Sequence, residues 1–228
     1  MEYKHKYQMH THTTPPSKCG VMTPRELCAA LKEGGYSGAV LTNHFMHGHT
    51  GIDRTISWEE FVGAYEKDYL DALDAAKEFD VDILFGIEEH VGSGVEILLY
   101  GITPKWLYEH PELREGGIER YKKATEGTDI LLIQAHPYRV RGYITTPGPL
   151  PIHFLDGIEV YNRANQPHEN PLAEDLAREN PHLILTSGAD AHKTDTVVFA
   201  GIATKERITD EKKLVEVLVS GDYEIIRN

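Results

Sequence analysis

The chain alternates short apolar runs with longer segments of helical periodicity. The apolar runs are rich in Val, Ile and Leu, and several are continuously apolar, which is typical of parallel strands that are covered on both faces. We therefore predict a strand over each run, after a first strand-like run at residues 3–8. These later strands are 38–44, 81–88, 95–102, 129–137, 155–162 and 182–192.

Two of the helical segments carry clear start signals. Thr23 is followed by Pro24 and Glu26, and Ser57 is followed by Glu60, so each helix is predicted to begin with a capping box. Further helices are predicted at about 171–179, at about 210–220 and within 103–126. Strand followed by helix, repeated along the chain, predicts an α/β fold with a parallel sheet or barrel, in a single domain that spans residues 1–228.

Composition narrows the class of protein. The 228 residues include 36 Asp plus Glu against 23 Lys plus Arg, and this net charge of −13 argues against tight binding of long nucleic acid. Cys19 and Cys28 are the only cysteines, so no disulfide framework is expected. No apolar run reaches about 18 residues, so we expect a cytoplasmic protein that does not associate with membranes. The sequence does not predict an oligomeric state. The 13 histidines are the unusual feature.

Side chains that can bind metal recur where the predicted strands end. In α/β folds the carboxyl ends of parallel strands form the site, so these side chains are expected to meet. His10 with His12, and Asp190 with His192, can each point into one cavity because alternate strand residues face the same way. Imidazoles together with carboxylates indicate a shared site for Zn, Mn or Fe. The strand-end residues are His10, His12, His44, Glu88, His136, Asn162, Asp190 and His192.

Six short motifs occur along the chain in the order HTH, LTNH, FGIEE, AHPYR, DGIEVYN and SGADAH. The first motif alone is weak, but the ordered set resembles the polymerase and histidinol phosphatase (PHP) domain family, from about residue 8 to residue 192. The resemblance implies a distorted seven-stranded (β/α) barrel of the TIM-like type. It also implies two or three divalent metal ions at the C-terminal face of that barrel, where phosphoesters are hydrolysed.

The resemblance further implies a role for individual residues. The expected metal ligands are His10, His12, His44, Glu88, His136, Asp190 and His192. Among them Glu88 is expected to bridge two ions, and Glu88, Asp190 and His192 are expected to act in catalysis. Arg139 and Asn162 are candidates to hold the phosphate of the substrate.

Three positions depart from the family pattern. Lys18 and Cys19 stand where family members often carry an acidic ligand, Asn43 stands where an Asp usually precedes His44, and Glu96 takes a slot that usually holds His. Glu96 is still expected to bind metal, whereas a protonated lysine does not. We therefore expect two firmly held ions and a weak or absent third, with Lys18 turned to water or bound to phosphate. Cys19 is interpreted as incidental.

We interpret the chain as a metal-dependent hydrolase that attacks a small phosphomonoester with metal-activated water. Three alternatives stay open: a nuclease or nucleotide phosphodiesterase on the same metals, a metal-dependent amidohydrolase, and a non-catalytic regulatory domain that binds metal. The lack of a basic, aromatic-rich stripe weighs against long nucleic acid strands. The sequence does not assign a role to four further histidines, His47, His49, His90 and His153.

Overall fold

The protein is represented by a computed structural model that describes residues 2–227. Within that range the strands are β1 His5–Thr11, β2 Gly38–Leu41, β3 Asp82–Gly92, β4 Val95–Tyr100, β5 Leu131–Gln134, β6 Gly157–Asn162, β7 Ile184–Gly188, β8 Ala200–Thr204 and β9 Glu224–Arg227. The α-helices are α1 Pro24–Glu33, α2 Trp58–Phe79, α3 Pro104–Glu109, α4 Ile118–Thr125, α5 Glu169–Glu179 and α6 Glu211–Ser220. Short 3-10 helices cover Pro111–Glu115, Ile152–Phe154 and Thr194–Thr196.

The strands form one mixed sheet in the order β7-β6-β5-β4-β3-β2-β1-β8-β9. Neighbours are parallel from β1 to β3 and from β5 to β7, whereas β4 runs antiparallel to both β3 and β5. The α/β class is as predicted. The predicted number of seven strands is wrong, because nine strands occur within residues 2–227. The two missed strands are β8 and β9, which have five and four residues and pair antiparallel beyond β1.

The segment that follows β7 lies against β1 and nearly closes the sheet. The amide of Ala191 donates to the carbonyl of His10 at 3.1 Å, and the amide of His12 donates to the carbonyl of Ala191 at 2.8 Å. Gly188 makes this approach possible, since a Cβ there would lie 2.4 Å from Cβ of His10. The result is a barrel-like sheet in which the carboxyl ends of β1 and β7 adjoin.

Helices cover the sheet, so its central strands are buried. Every residue of β2 and β5 is buried, as expected for the continuously apolar runs that predicted them. Leu27 and Leu31 of α1 pack with Ala72 and Ala76 of α2 in one of the apolar clusters of the core. Within residues 2–227, no helix is long and apolar enough to cross a membrane.

Both predicted capping boxes are present. Thr23 accepts from the amide of Glu26 at the start of α1, and Ser57 accepts from the amide of Glu60 at the start of α2. The helices α5 and α6 begin within two residues of their predicted starts, and the segment 103–126 contains α3 and α4. Local hydrogen-bonding signals therefore define the helix starts well.

Replacing the N-cap residue of α2 tests how much it stabilises the start of that helix. Ser57→Ala should lower the free energy of unfolding by about 1 kcal/mol, because the amide of Glu60 loses its acceptor. Ser57→Asp supplies another acceptor and should stay close to the parent protein. Urea denaturation followed by far-ultraviolet circular dichroism measures both, and equal stabilities for the two variants would contradict the capping role.

Candidate metal centre

The carboxylate of Glu88 lies at the centre of a ring of imidazoles. Its Oε1 is 3.0 Å from Nε2 of His10 and 3.3 Å from Nε2 of His136. Its Oε2 is 2.9 Å from Nδ1 of His44 and 3.4 Å from Nε2 of His12. Glu88 is only 1 % exposed, so this carboxylate is compensated by its protein neighbours rather than by bulk water.

A second carboxylate, from Asp190, faces the same histidines. Its Oδ1 lies 3.6 Å from Nε2 of His10 and 3.3 Å from Nε2 of His12. Its Oδ2 accepts a 2.6 Å hydrogen bond from Nη1 of Arg139. The predicted convergence of His10, His12, Glu88 and Asp190 therefore occurs in the structure.

The hairpin formed by β3 and β4 explains how Glu96 reaches this site. Glu88 does not end its strand as predicted: β3 continues to Gly92, and β4 then returns antiparallel to it. Glu96, at the beginning of β4, therefore lies at the same end of the sheet, with its carboxylate 3.5 Å from Nε2 of His136 and 3.9 Å from Nδ1 of His44.

Hydrogen bonds from outside the cluster fix which nitrogen of two imidazoles carries the proton. Nδ1 of His10 donates to Glu159, and Nδ1 of His12 donates to the hydroxyl of Ser17, which itself donates to Asn43. In the neutral imidazole, Nε2 then presents its lone pair to the carboxylates. Positive charge must therefore lie between such a nitrogen and the carboxylate, either as a proton on the imidazole or as a bound cation.

Unpartnered atoms show where that charge belongs. Within residues 2–227, seven buried side-chain polar atoms lack a hydrogen-bond partner, and four of them lie in this cluster. The four are Nε2 of His10, Nε2 of His12, Nδ1 of His44 and Oε2 of Glu88. Buried polar atoms are rarely left unsatisfied, and imidazole nitrogen with carboxylate oxygen is a donor set for Zn, Mn or Fe. The residues present therefore fit divalent metal.

The same crowding shifts the pKa values of these groups. Burial acts to raise the pKa of Glu88, but the imidazoles of His10 and His44 overcome it and hold that pKa well below its usual range. Burial, and next the charge of Glu88, raises the pKa of Glu96 to about 8. Burial and the neighbouring His44 hold the pKa of His12 well below its usual range. These opposed shifts are typical of a functional site.

Two candidate ligands sit on strained backbone. His136 has a φ of 30° and Asp190 a φ of 54°, in the left-handed region that non-glycine residues rarely adopt. Both follow the end of a parallel strand, β5 for His136 and β7 for Asp190. Such strain concentrates at binding and catalytic sites, where it aims a side chain in a particular direction.

The cluster forms the floor of an open cavity of about 570 Å³. Two loops contribute to the wall of this cavity, since His47 and His49 come from the loop after β2, and Tyr143 from the loop after β5. His90 also lines the cavity because β3 continues past Glu88. The lining residues are Cys19, His44, His47, Gly48, His49, Glu88, His90, Glu96, Arg139, Tyr143, Asp190 and His192.

The three residues predicted to hold phosphate lie in different surroundings. Arg139 lines the cavity and is 7 % exposed, with its guanidinium bonded to Asp190, Asn162 and Asn165. Asn162 lies behind it, fully buried, and its amide oxygen accepts from Arg139. Lys18 is exposed and is not among the lining residues. Of the three, Arg139 is therefore the one positioned to meet a substrate.

Two buried glutamates of the site were missed from the sequence. Glu159 accepts from Nδ1 of His10, from the amide of His136 and from the side chain of Asn162. Glu89 accepts from the amide and Nδ1 of His47 on the cavity wall. Glu159 stands between apolar neighbours in β6, a signal that could have identified it, whereas Glu89 directly follows Glu88 in β3.

Cys19, interpreted as incidental from the sequence, belongs to the site. Its Sγ lies 3.1 Å from Nε2 of His192, and the thiol is half-buried at the cavity wall. Burial acts to raise the pKa of Cys19, but hydrogen bonds from His192 and His44 overcome it and lower that pKa to about 5.

Searches with the sequence matched no family model and no curated protein. A search of solved structures did find matches. A Bifidobacterium adolescentis protein described as a metal-dependent phosphoesterase aligns with a TM-score of 0.59 at 16 % identity, over 94 % of this chain and 96 % of that one. A two-domain protein from Bacteroides vulgatus, with a domain predicted to be a PHP-like metal-dependent phosphoesterase, aligns with a TM-score of 0.69 at 12 % identity. The chain has a PHP-like fold.

A further match is a nuclease. A lesion-specific endonuclease from Pyrococcus furiosus aligns with a TM-score of 0.61 at 14 % identity, over 97 % of this chain and 57 % of that one. The Bacteroides vulgatus alignment covers 98 % of this chain and 65 % of that one. The chain therefore spans less than two thirds of either of these two proteins, and at such identities the likeness is one of fold.

Glu159 gives a test of how the site holds its imidazoles. Glu159→Gln should weaken metal binding about 10–100-fold, because the amide no longer offers a charged acceptor to Nδ1 of His10. Glu174 lies on α5, outside the cluster, and pairs with Arg227. Glu174→Gln should therefore leave metal affinity unchanged. Competition with a chromogenic chelator measures both affinities. Equal metal affinities in the two variants would show that Glu159 does not help to hold the ligands in place.

Proposed function

We propose that this protein is a metal-dependent phosphoesterase that hydrolyses a small phosphomonoester. The observation that carries the proposal is the set of four unpartnered buried ligand atoms that face one another beside the buried guanidinium of Arg139. Imidazole and carboxylate ligands next to a fixed guanidinium suit a substrate that carries negative charge.

The residues that would hold the metals fall into overlapping groups. His10, His12 and Glu88 form one group, and His44, Glu88 and Glu96 form another, with the ligand atoms of each within 4.8 Å of one another. Glu88 belongs to both and is suited to bridge two ions. His136 and Asp190 form a third group with His10. Divalent ions bound there would polarise the phosphoryl group and activate water for attack on phosphorus.

Arg139 is suited to bind the phosphoryl oxygens. A guanidinium has five N–H donors, and three of them are taken by Asn165, Asp190 and Asn162. Two further donors remain for oxygens of a bound phosphate or for the hydroxyl of Tyr143, and the buried partners hold the planar group in one orientation. This preorganisation matters because charge that moves in the reaction is best met by donors that do not have to rearrange.

The size and charge of the cavity favour a small substrate. A volume of about 570 Å³ is in the range of small-molecule sites. Arg139 is the one Arg or Lys among the described lining residues, whereas long nucleic acid is bound by many cations. His47, His49 and His90 line the cavity without making it strongly basic.

A nucleotide phosphodiesterase is the second candidate, and a neighbouring cavity favours it. This space of about 360 Å³ shares Asp190 and His192 with the first and is also lined by Arg163, Lys193 and Phe199. The guanidinium of Arg163 lies 5.6 Å from the centre of the Phe199 ring. An arginine over an aromatic ring can bind the second half of a diester, through a base or a second phosphate.

Metal removal tests the proposed function directly. Dialysis against a chelator should abolish hydrolysis of 4-nitrophenyl phosphate, and Zn or Mn should restore it, because the proposed attack needs a metal-activated water. Faster turnover of bis(4-nitrophenyl) phosphate or of short oligonucleotides would favour the second candidate. Full activity at a verified absence of metal would refute both.

A further inference from the structure

Cys19 lies beside three histidines at the edge of the metal centre. Its Sγ is 3.1 Å from Nε2 of His192, and it is also within hydrogen-bonding range of His44. The ligand nitrogens of His12, His44 and His192 all lie within 4.8 Å of one another. Cys19 therefore adjoins this group of three imidazoles through its contact with His192.

Two of the imidazoles at this point have a nitrogen that can present a lone pair to a cation. Nδ1 of His192 donates to the backbone carbonyl of Asp190 at 2.8 Å, so in the neutral ring Nε2 faces Cys19 with its lone pair. Nε2 of His12 is fully buried and has no hydrogen-bond partner. This atom of His12 indicates a cation here without reference to the cysteine.

The backbone holds Cys19 in place from both sides. The amide of Lys18 donates to the carbonyl of His49 at 3.0 Å, and the amide of Val21 donates to the carbonyl of His192 at 2.9 Å. The hydroxyl of Ser17 accepts from the amide of His44 at 3.0 Å. The segment thus directs Cys19 to the cavity wall, while Lys18 is exposed.

We propose that Cys19 is a metal ligand whose thiolate completes a third metal position with His44 and His192. The inference rests on the proposed metal centre and deepens it. Thiolate with imidazole selects zinc or a similarly thiophilic ion over Mg or Mn, so the third position differs in metal preference from the carboxylate-rich positions around Glu88. It also replaces the expectation, drawn from Lys18, of a weak or absent third ion.

The separation of the two nearest atoms agrees with this role. A tetrahedral zinc with Zn–S of about 2.3 Å and Zn–N of about 2.05 Å places sulfur and nitrogen about 3.6 Å apart. Sγ of Cys19 and Nε2 of His192 are 3.1 Å apart. A shift of about 0.5 Å, within reach of a small side-chain rotation, would open the space for the ion.

Cobalt substitution tests the ligand by its spectrum. Protein freed of metal and loaded with Co²⁺ should show the near-ultraviolet charge-transfer band of a cobalt–thiolate bond. Cys19→Ser should lose the band, and with zinc it should hold about one ion fewer per chain than the parent. Cys28→Ala is the matched control, since Cys28 is buried between α1 and α2 and should leave band and zinc count unchanged.

The result can overturn the inference without reference to catalysis. Absence of the band in the cobalt-loaded parent, or its persistence in Cys19→Ser, would contradict ligation by Cys19. The parent spectrum needs no variant, so a folding defect in Cys19→Ser leaves the test intact. Hydrolysis of 4-nitrophenyl phosphate is followed in parallel: a thiolate band without hydrolysis would refute the proposed function alone, and hydrolysis without the band would refute the inference alone.

Discussion

The burial of the Glu88 carboxylate is the constraint on which the rest of the site depends. Burying an isolated carboxylate in this position would cost several kcal/mol of folding free energy. Four imidazoles lie next to the Glu88 carboxylate. Those imidazoles are themselves held by buried acceptors such as Glu159 and Ser17, which direct their second nitrogen toward the carboxylate. A divalent ion satisfies the whole arrangement at once, because it provides charge for the carboxylate and a partner for the lone pairs.

The sheet brings these groups together by two means. His10 lies in β1 and His12 directly follows it, and the residues just past β7 provide Asp190 and His192, next to β1. The antiparallel hairpin of β3 and β4 adds Glu96, which lies at the start of its strand and yet at the same edge. A nearly closed sheet holds these elements at fixed separations, which a site built on loops alone would not do.

Local signals in the sequence were sufficient for the helix starts and for most of the side chains that converge in the cluster. The capping residues Thr23 and Ser57 act through neighbours three positions away, so their pattern is readable from the chain alone. Histidines at strand ends can also be recognised in the sequence, because each directly follows the apolar run that predicts its strand. β8 and β9 were missed because they are short and β9 is a partly exposed edge without clear alternation. The position of Cys19 beside the cluster could not be seen in the sequence, because its neighbour His192 is 173 residues away.

The central claim is that Glu88 bridges metal ions held by the surrounding histidines. The most direct measurement is a crystal structure of the zinc-loaded protein with anomalous diffraction on both sides of the zinc absorption edge. The account predicts at least two anomalous peaks, one on each side of the Glu88 carboxylate, about 3.5–4 Å apart as in two-metal hydrolytic sites. Zinc peaks that lie away from Glu88, or no peak in the cluster at saturating zinc, would contradict it.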